Sequence, residues 1–314
     1  MILRPGRTRA RLRSLPANFR GALWVLTAAI IFTVMGTLVK FLGGHFDSFE
    51  IAFFRALFGL GALMPFLLKS GISQIRTKRL GLHLTRGIIG SFGMLCGFYA
   101  LTHLSYADAI SISYARSLFL IPLAVIFLSE VVGRRRWTAT LVGFVGVLVM
   151  MRPGSDFELA MVVGIAGAFF VALVTILIKK LSQTEKPEVI LFYFGIVSTS
   201  VSFVPAMMVW RTPTLWEFVL LMAVGAIAAA GQYCMIRGYK VGETTAITPF
   251  DYTRLLFASV IGIFVFAEPL EVWTILGAMI IAASTLYIAY REAGLGKKPT
   301  PTEPAVNPPI MPEK

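Results

Sequence analysis

The sequence is poor in charge, in acidic side chains and in the residues that most often bind metals or form disulfides. Only 14% of its 314 residues are charged, and it contains 16 acidic residues, 3 histidines and 2 cysteines. Both cysteines, Cys96 and Cys234, lie in apolar stretches, so neither a disulfide framework nor a zinc site is predicted. No HExxH and no GxxxxGK(S/T) motif is present, which argues against a zinc protease and an ATP-driven motor. We therefore expect no cofactor, no metal and no enzymatic activity.

Apolar residues make up most of the chain. They account for 57% of it, and the mean hydropathy is +0.78, far above the range of soluble globular proteins. A helix needs roughly 20 mostly apolar residues to cross a bilayer, and the chain divides into ten such stretches with short connections. An all-α integral membrane protein is therefore predicted. The predicted spans cover residues 20–42, 49–68, 80–101, 107–128, 137–151, 158–178, 188–209, 215–236, 245–266 and 270–290.

Basic residues are concentrated in the predicted tails and in alternate loops, and the formal net charge is +13. If the amino terminus is cytoplasmic, most of the 29 lysines and arginines fall in the tails or in cytoplasmic loops, as the positive-inside rule requires. This distribution predicts a multi-pass protein of a bacterial-type inner membrane with both termini in the cytoplasm. It gives no reason to expect a nucleic-acid partner.

The two halves of the sequence resemble each other at a shift of 138 positions. This shift brings Arg116 into register with Arg254, and Glu130 with Glu268. Further identical residues align at matching depths of matching spans, so an internal repeat is predicted. These pairs are Gly93 and Gly231, Cys96 and Cys234, Tyr114 and Tyr252, Leu118 and Leu256, and Phe119 and Phe257.

Each half contains five predicted spans. Because five is odd, the second half must enter the membrane from the opposite side to the first, which is the inverted-topology repeat of many secondary transporters. The predicted fold is thus ten transmembrane helices in two inverted five-helix repeats. The repeats cover residues 20–153 and 154–292, between a basic cytoplasmic segment at 1–19 and a disordered cytoplasmic tail at 293–314.

Two stretches of the chain resemble a known family. They are FLSEVVGRRRWTATLVGFVGVLVMMRP, from Phe127 to Pro153, and FAEPLEVWTILGAMIIA, from Phe266 to Ala282. Both are similar to sequences of the drug/metabolite transporter superfamily, in its ten-helix EamA-type branch. The resemblance implies transport of amino acids or other small metabolites through a central cavity lined largely by the third, fourth, eighth and ninth spans. It also implies a glutamate at the end of the fourth and ninth spans, where Glu130 and Glu268 match, and we expect both to orient or cap helix ends.

Arg116 and Arg254 lie inside the predicted fourth and ninth spans. A lipid-facing arginine at the centre of a span costs about 2.5 to 3.5 kcal/mol on insertion scales, so both are expected to face the bundle interior. A guanidinium group binds carboxylate or phosphate through two parallel hydrogen bonds. The pair is therefore predicted to bind an anionic group of the substrate, with structural ion pairs as the alternative. Pro249 is predicted to kink the ninth span.

Asp251 and Tyr99 complete the predicted substrate-binding residues. Asp251 lies three residues before Arg254 on the same predicted helical face, so the two are expected to form an ion pair, with proton coupling through Asp251 as the alternative. Tyr99 lies along the third span, from which its ring can line the cavity. Arg55 and Arg86 lie nearer the ends of their spans and are expected to extend to the membrane surface.

The function predicted from these features is secondary transport of a small metabolite by alternating access. The substrate is predicted to be an amino acid or another carboxylate-bearing compound. Two interpretations stay open beside it: a scaffold or channel subunit without coupled transport, and a transporter of neutral or cationic metabolites or drugs. The expected partners are a small-molecule substrate and the lipid bilayer, and a homodimer is left open.

Overall fold

The computed structural model of the chain describes residues 17–70, 75–128, 134–151, 159–242, 247, 250–251, 253–269 and 271–295. These residues form eleven helices and no strand. The first half contains α1 (Ala17–Leu42), α2 (Ser48–Ser70), α3 (Leu80–His103), α4 (Tyr106–Ser113), α5 (Arg116–Leu128) and α6 (Arg134–Met151). The second half contains α7 (Leu159–Ser182), α8 (Pro187–Met208), α9 (Leu215–Val241), α10 (Thr253–Phe266) and α11 (Val272–Leu295).

Most of these helices have the length and composition of membrane spans. Within the described residues, seven helical segments are long and apolar enough to cross a bilayer: α1, α2, α3, α4 with α5, α7, α8 and α9. Three shorter apolar helices, within α6, α10 and α11, occupy the remaining predicted positions. Helices suit this environment because each backbone N–H and C=O is bonded within the segment when no water is present. The predicted class, an all-α membrane protein, is confirmed.

Glycines bring two pairs of helices into close contact. α3 packs along α7, where a Cβ added to Gly93 would lie 3.2 Å from the Cβ of Phe170. α9 packs along α1 in the same way, and a Cβ on Gly231 would lie 2.8 Å from the ring of Phe32. Small residues permit such close approach between membrane helices. The two glycines that the repeat aligned therefore have the same packing role in different halves.

A tight turn ends α10 and directs the next residue back into the bundle. Ala267 has a φ of 51°, in the left-handed region that a residue with a Cβ seldom adopts. The amide of Glu268 donates to the carbonyl of Gly262, six residues earlier, at 2.9 Å, which closes the turn. The turn places the Glu268 side chain against the start of α4, where its carboxylate accepts a hydrogen bond from the Tyr106 amide at 2.7 Å.

Candidate functional site: a central cavity with buried arginines

The predicted fourth span is interrupted directly before Arg116. Its first part, α4, ends at Ser113, and its second part, α5, begins at Arg116. Between them the chain forms a tight turn, in which the amide of Ser117 donates to the carbonyl of Tyr114, three residues earlier, at 3.0 Å. A short stretch with this three-residue bonding inside a span is typical of a hinge.

The predicted ninth span is interrupted close to Arg254. Phe250 and Asp251 have 3₁₀ geometry, whereas α10, described from Thr253 onwards, is α-helical. Arg116 and Arg254 thus each lie in the first described turn of a helix, α5 and α10 respectively. The amino terminus of a helix carries partial positive charge, so each break adds to the cationic character of its arginine.

The two breaks contact each other through Asp251. The hydroxyl of Tyr114 donates to the backbone carbonyl of Asp251 at 2.9 Å. The guanidinium of Arg116 forms an ion pair with the carboxylate of the same residue, and the two side chains are only 12% and 2% exposed. The fourth and ninth spans are therefore joined by a buried, charged contact at their interruptions.

This pairing corrects one sequence-based expectation. Asp251 was expected to pair with Arg254 along a continuous helix, but Asp251 has 3₁₀ geometry, unlike the α-helical Arg254. Asp251 pairs with Arg116 instead, for which the sequence offered no neighbouring partner. Arg254 lies over the ring of Phe32, 5.4 Å from its centroid. Among the described residues, no carboxylate lies within salt-bridge distance of Arg254.

A cavity of about 230 Å³ lies between the helices, lined by residues of α1, α2, α3, α4, α5, α7, α8, α9 and α10. Arg116 and Arg254 both line it, as expected of an anion-binding pair. Asp251 and Tyr99 do not. Asp251 is paired with Arg116, whereas the Tyr99 ring is stacked on His103, with 4.0 Å between the ring centroids. A role of Tyr99 in substrate binding stays a prediction without a cavity contact.

Arg55 and Arg86 also line this cavity, and the expectation that they extend to the membrane surface is wrong. Their residues are only 6% and 1% exposed. Arg55 is the eighth residue of α2 and Arg86 the seventh of α3, so each lies about 9 to 10 Å from the nearer helix end. Their helices turn both side chains towards Phe194 in the bundle interior. Their distance from the helix ends could have predicted this burial from the sequence, because it limits whether a side chain can reach the membrane surface.

Glu268 orients helix ends, as predicted. Besides accepting the Tyr106 amide, its carboxylate pairs with the Lys40 ammonium at 2.7 Å. The same ammonium donates to the backbone carbonyl of Leu104 at 2.6 Å. The pair thus ties the ends of α1 and α10 to the α3–α4 connection. Glu130, Pro249 and Tyr252, on which predictions were also made, lie outside the described residues.

Metal-ligating side chains are not grouped in the part of the chain that the structure describes. No set of three or more His, Cys, Asp or Glu residues lies close enough there to hold a metal ion. The charged groups lining the cavity are instead guanidiniums, which suits binding of an anion by hydrogen bonds.

Comparison with known proteins gives one family. The model of the EamA-like transporter family matches residues 19–152 and again residues 158–290. An S-adenosylmethionine uptake transporter of Rickettsia prowazekii is 33% identical over 280 residues, which cover 89% of this chain and 95% of the relative. A riboflavin transporter of Vibrio cholerae is 30% identical over 283 residues, covering 87% and 94% of the two chains.

A solved crystal structure shares the fold. It superposes with a TM-score of 0.63 at 16% sequence identity, over 88% of this chain and 99% of the other. At this identity the similarity concerns the arrangement of helices alone.

Proposed function

Because the chain belongs to the EamA-like transporter family, we propose that it is a secondary transporter, which moves a small carboxylate-bearing metabolite such as an amino acid across the membrane by alternating access. The observation that carries this proposal is the central cavity, at which Arg116 and Arg254 lie beside the interruptions of two spans. Interrupted spans beside a central cavity are typical of transporter binding sites.

The proposed architecture is ten spans in two inverted repeats, at residues 20–153 and 154–292. Two separate matches to the family model support it. So do the glycine contacts: a shift of 138 converts Gly93 into Gly231 and Phe32 into Phe170, so the α3–α7 contact becomes the α9–α1 contact. When two repeats are related by a two-fold axis, a contact from the first repeat to the second is expected to recur as the equivalent contact from the second to the first.

The proposed orientation places both termini, residues 1–19 and 293–314, in the cytoplasm of a bacterial cell. The excess of lysine and arginine in the tails and alternate loops supports it. In this orientation the end of the bundle tied by Lys40 and Glu268 faces outwards. The Lys40–Glu268 pair then helps to close the outer side of the cavity.

Arg254 is the proposed anchor for the substrate carboxylate. Its guanidinium lines the cavity, and among the described residues no acidic side chain neutralises it. Arg116 also lines the cavity but shares its charge with Asp251. We assign the Arg116–Asp251 pair to the connection between the two interrupted spans, from which Arg116 supplies a second, weaker contact to the substrate.

The size of the cavity favours a small metabolite. Pockets for drug-sized ligands usually measure about 300 to 1,000 Å³, and this one measures about 230 Å³. An amino acid or a small organic acid fits such a space. S-adenosylmethionine and riboflavin are larger compounds, and they belong in the test because relatives are named for them.

The test is radiolabelled uptake into proteoliposomes. The panel contains amino acids, organic acids, S-adenosylmethionine and riboflavin. We expect saturable uptake of a carboxylate, its loss in Arg254→Gln and a smaller reduction in Arg116→Gln. Arg237→Gln is the matched control, because Arg237 contacts the hydroxyl of Tyr233 at 2.8 Å and does not line the cavity. Undiminished uptake in Arg254→Gln would refute the anchor, and uptake of only compounds without a carboxylate, such as riboflavin, would refute the substrate class.

A further inference from the structure

Two arginines of the first half are buried in the cavity wall without a balancing charge. Arg55 lies on α2 and Arg86 on α3, and the two residues are 6% and 1% exposed. Within the described part of the chain, no Asp or Glu lies within salt-bridge distance of either guanidinium. The Nε atoms of both residues and one Nη atom of Arg86 have no hydrogen-bond partner among the residues that the structure describes.

The groups that do contact these arginines are apolar or weakly polar. Both guanidiniums lie over the ring of Phe194, at 3.9 Å for Arg86 and 5.5 Å for Arg55, measured from Cζ to the ring centroid. Arg55 also donates to the sulfur of Met94 at 2.8 Å. An aromatic face attracts a cation and a thioether is a weak acceptor, but neither carries a negative charge.

This arrangement is unfavourable in the empty protein. A guanidinium stays protonated in proteins, so two positive charges are held near the same ring in a medium of low polarity, where they repel each other. A buried ion without a partner is strongly destabilising. Ionisable side chains inside a membrane protein are rare, and they generally mark a substrate pathway or binding site.

Both arginines border the central cavity, so a ligand bound there lies beside their guanidinium groups. The Phe194 ring supports the faces of the guanidiniums, while both residues line the central cavity. A second cavity, of about 30 Å³, also touches Arg55 and Phe194. There is therefore space beside the guanidinium groups, and two guanidiniums together can supply several donors to one carboxylate or phosphate.

We propose that Arg55 and Arg86 bind a second acidic group of the transported metabolite, so that the substrate is a dianion such as a dicarboxylate or a phosphorylated acid. This inference rests on the proposed function, in which Arg254 binds the first carboxylate. The two binding positions share one cavity of about 230 Å³. The substrate therefore has its acidic groups separated by only a short carbon chain.

The test compares a dianion with a monoanion of similar size. Succinate, phosphate and propionate are titrated against the detergent-purified full chain, and binding is followed by the change in melting temperature and by calorimetry. We expect the wild type to prefer succinate. Arg55→Met and Arg86→Met are expected to weaken succinate binding by about 10- to 100-fold, the range for hydrogen bonds to a charged group. Both variants should still bind propionate through Arg254, and Arg237→Met should change neither ligand.

The outcomes separate this inference from the proposed function. If the wild type binds propionate as tightly as succinate and phosphate, the proposal that the substrate is a dianion is wrong. The proposed function, transport of a metabolite with one carboxylate, is then unaffected. Equal succinate affinity in wild type, Arg55→Met and Arg86→Met also overturns it. A wild type that binds none of the three anions overturns the dianion proposal, and uptake of an amino acid in the proteoliposome test would then leave the proposed function standing. If a Met variant does not fold, Arg86→Lys replaces it, because lysine keeps the charge but loses the paired geometry; an unchanged succinate affinity there contradicts the proposal.

Discussion

The four arginines of the cavity form two pairs with different surroundings: Arg116 and Arg254, which the internal repeat aligns, and Arg55 and Arg86, which have no aligned arginine in the second half. Arg116 and Arg254 lie beside the interruptions of two spans, and Arg116 is neutralised by Asp251 from the other half. Arg55 and Arg86 lie within the continuous helices α2 and α3, against an aromatic ring and a thioether. One pair is therefore part of the connection between the halves, whereas the other belongs to a single half.

Arg116 and Arg254 have counterparts in both halves, whereas Arg55 and Arg86 do not. A shift of 138 places Tyr193 and Val224 opposite Arg55 and Arg86, so the second half has no counterpart of this pair. Elements that both halves share are suited to exchange between the two equivalent states of a transporter. Residues that only one half supplies make the cavity asymmetric. Arg55 and Arg86 are such residues.

The largest expected effect is a difference in stability between the two groups of arginines. Asp251→Asn leaves Arg116 buried without a counter-charge, and loss of one partner from a buried pair costs about 3 to 5 kcal/mol. Arg86→Met removes a charge that has no carboxylate partner among the described residues, so the ligand-free protein should be at least as stable as the wild type. Unfolding of the detergent-purified variants, followed by circular dichroism, measures both changes.

A double variant tests whether the pair accounts for the loss. Arg116→Gln combined with Asp251→Asn removes both charges, and it should recover much of the stability that Asp251→Asn loses, because the effects of contacting residues are not additive. A loss in Arg86→Met as large as that in Asp251→Asn would contradict the comparison. It would mean that Arg86 holds the fold together and is not reserved for a ligand.

The asymmetry of the cavity extends to Gly97, and this gives a second prediction. A Cβ on Gly97 would meet nothing within 4 Å, and the residue lines the cavity; the shift of 138 places Met235 opposite it. Gly97→Met fills the space on the α3 side, so we expect transport to fall about 10- to 200-fold, the range for an unaccommodated group in a pocket. Proteoliposome uptake measures it.

The control for this change is Gly61→Met. Gly61 also has open space around its Cβ position but lies on an exposed face of α2, outside the cavity lining. Transport and melting temperature should therefore stay near the wild-type values. Normal transport in Gly97→Met would show that the space beside α3 is not used by the substrate.

Helix positions and the repeated arginines could be predicted from the sequence because they depend on local patterns. Long apolar stretches indicate spans whatever their neighbours are, and Arg116 and Arg254 were found by aligning one half with the other. Their position in the cavity wall follows from the cost of exposing arginine to lipid. This reasoning needs no knowledge of which helices contact each other.

The partners of these residues could not be predicted in the same way. The pairing of Asp251 depends on where α10 begins, and a helix in the apolar stretch 245–266 could start several residues earlier without changing the pattern. Arg55 and Arg86 were missed because their orientation depends on the packing of α2, α3 and α8 around Phe194. Arg55 and Arg86 also have no arginine aligned with them in the second half, so aligning the two halves could not reveal them.

The smallest expected effect concerns the tie between the halves at Glu268. Its pair with Lys40 is partly exposed, at 20% and 11%, and such pairs contribute about 0.2 to 1 kcal/mol. The reporter is Ala109→Cys, a cavity residue, introduced into a protein that lacks Cys96 and Cys234 and labelled with an impermeant maleimide from the outer side. In the proposed orientation, Glu268→Gln should raise this labelling by up to about fivefold. Glu217→Gln is the control, since Glu217 caps its own helix through Thr214. Unchanged labelling in Glu268→Gln would mean that this repeated glutamate only caps α4, and that the closure of this end depends on other contacts.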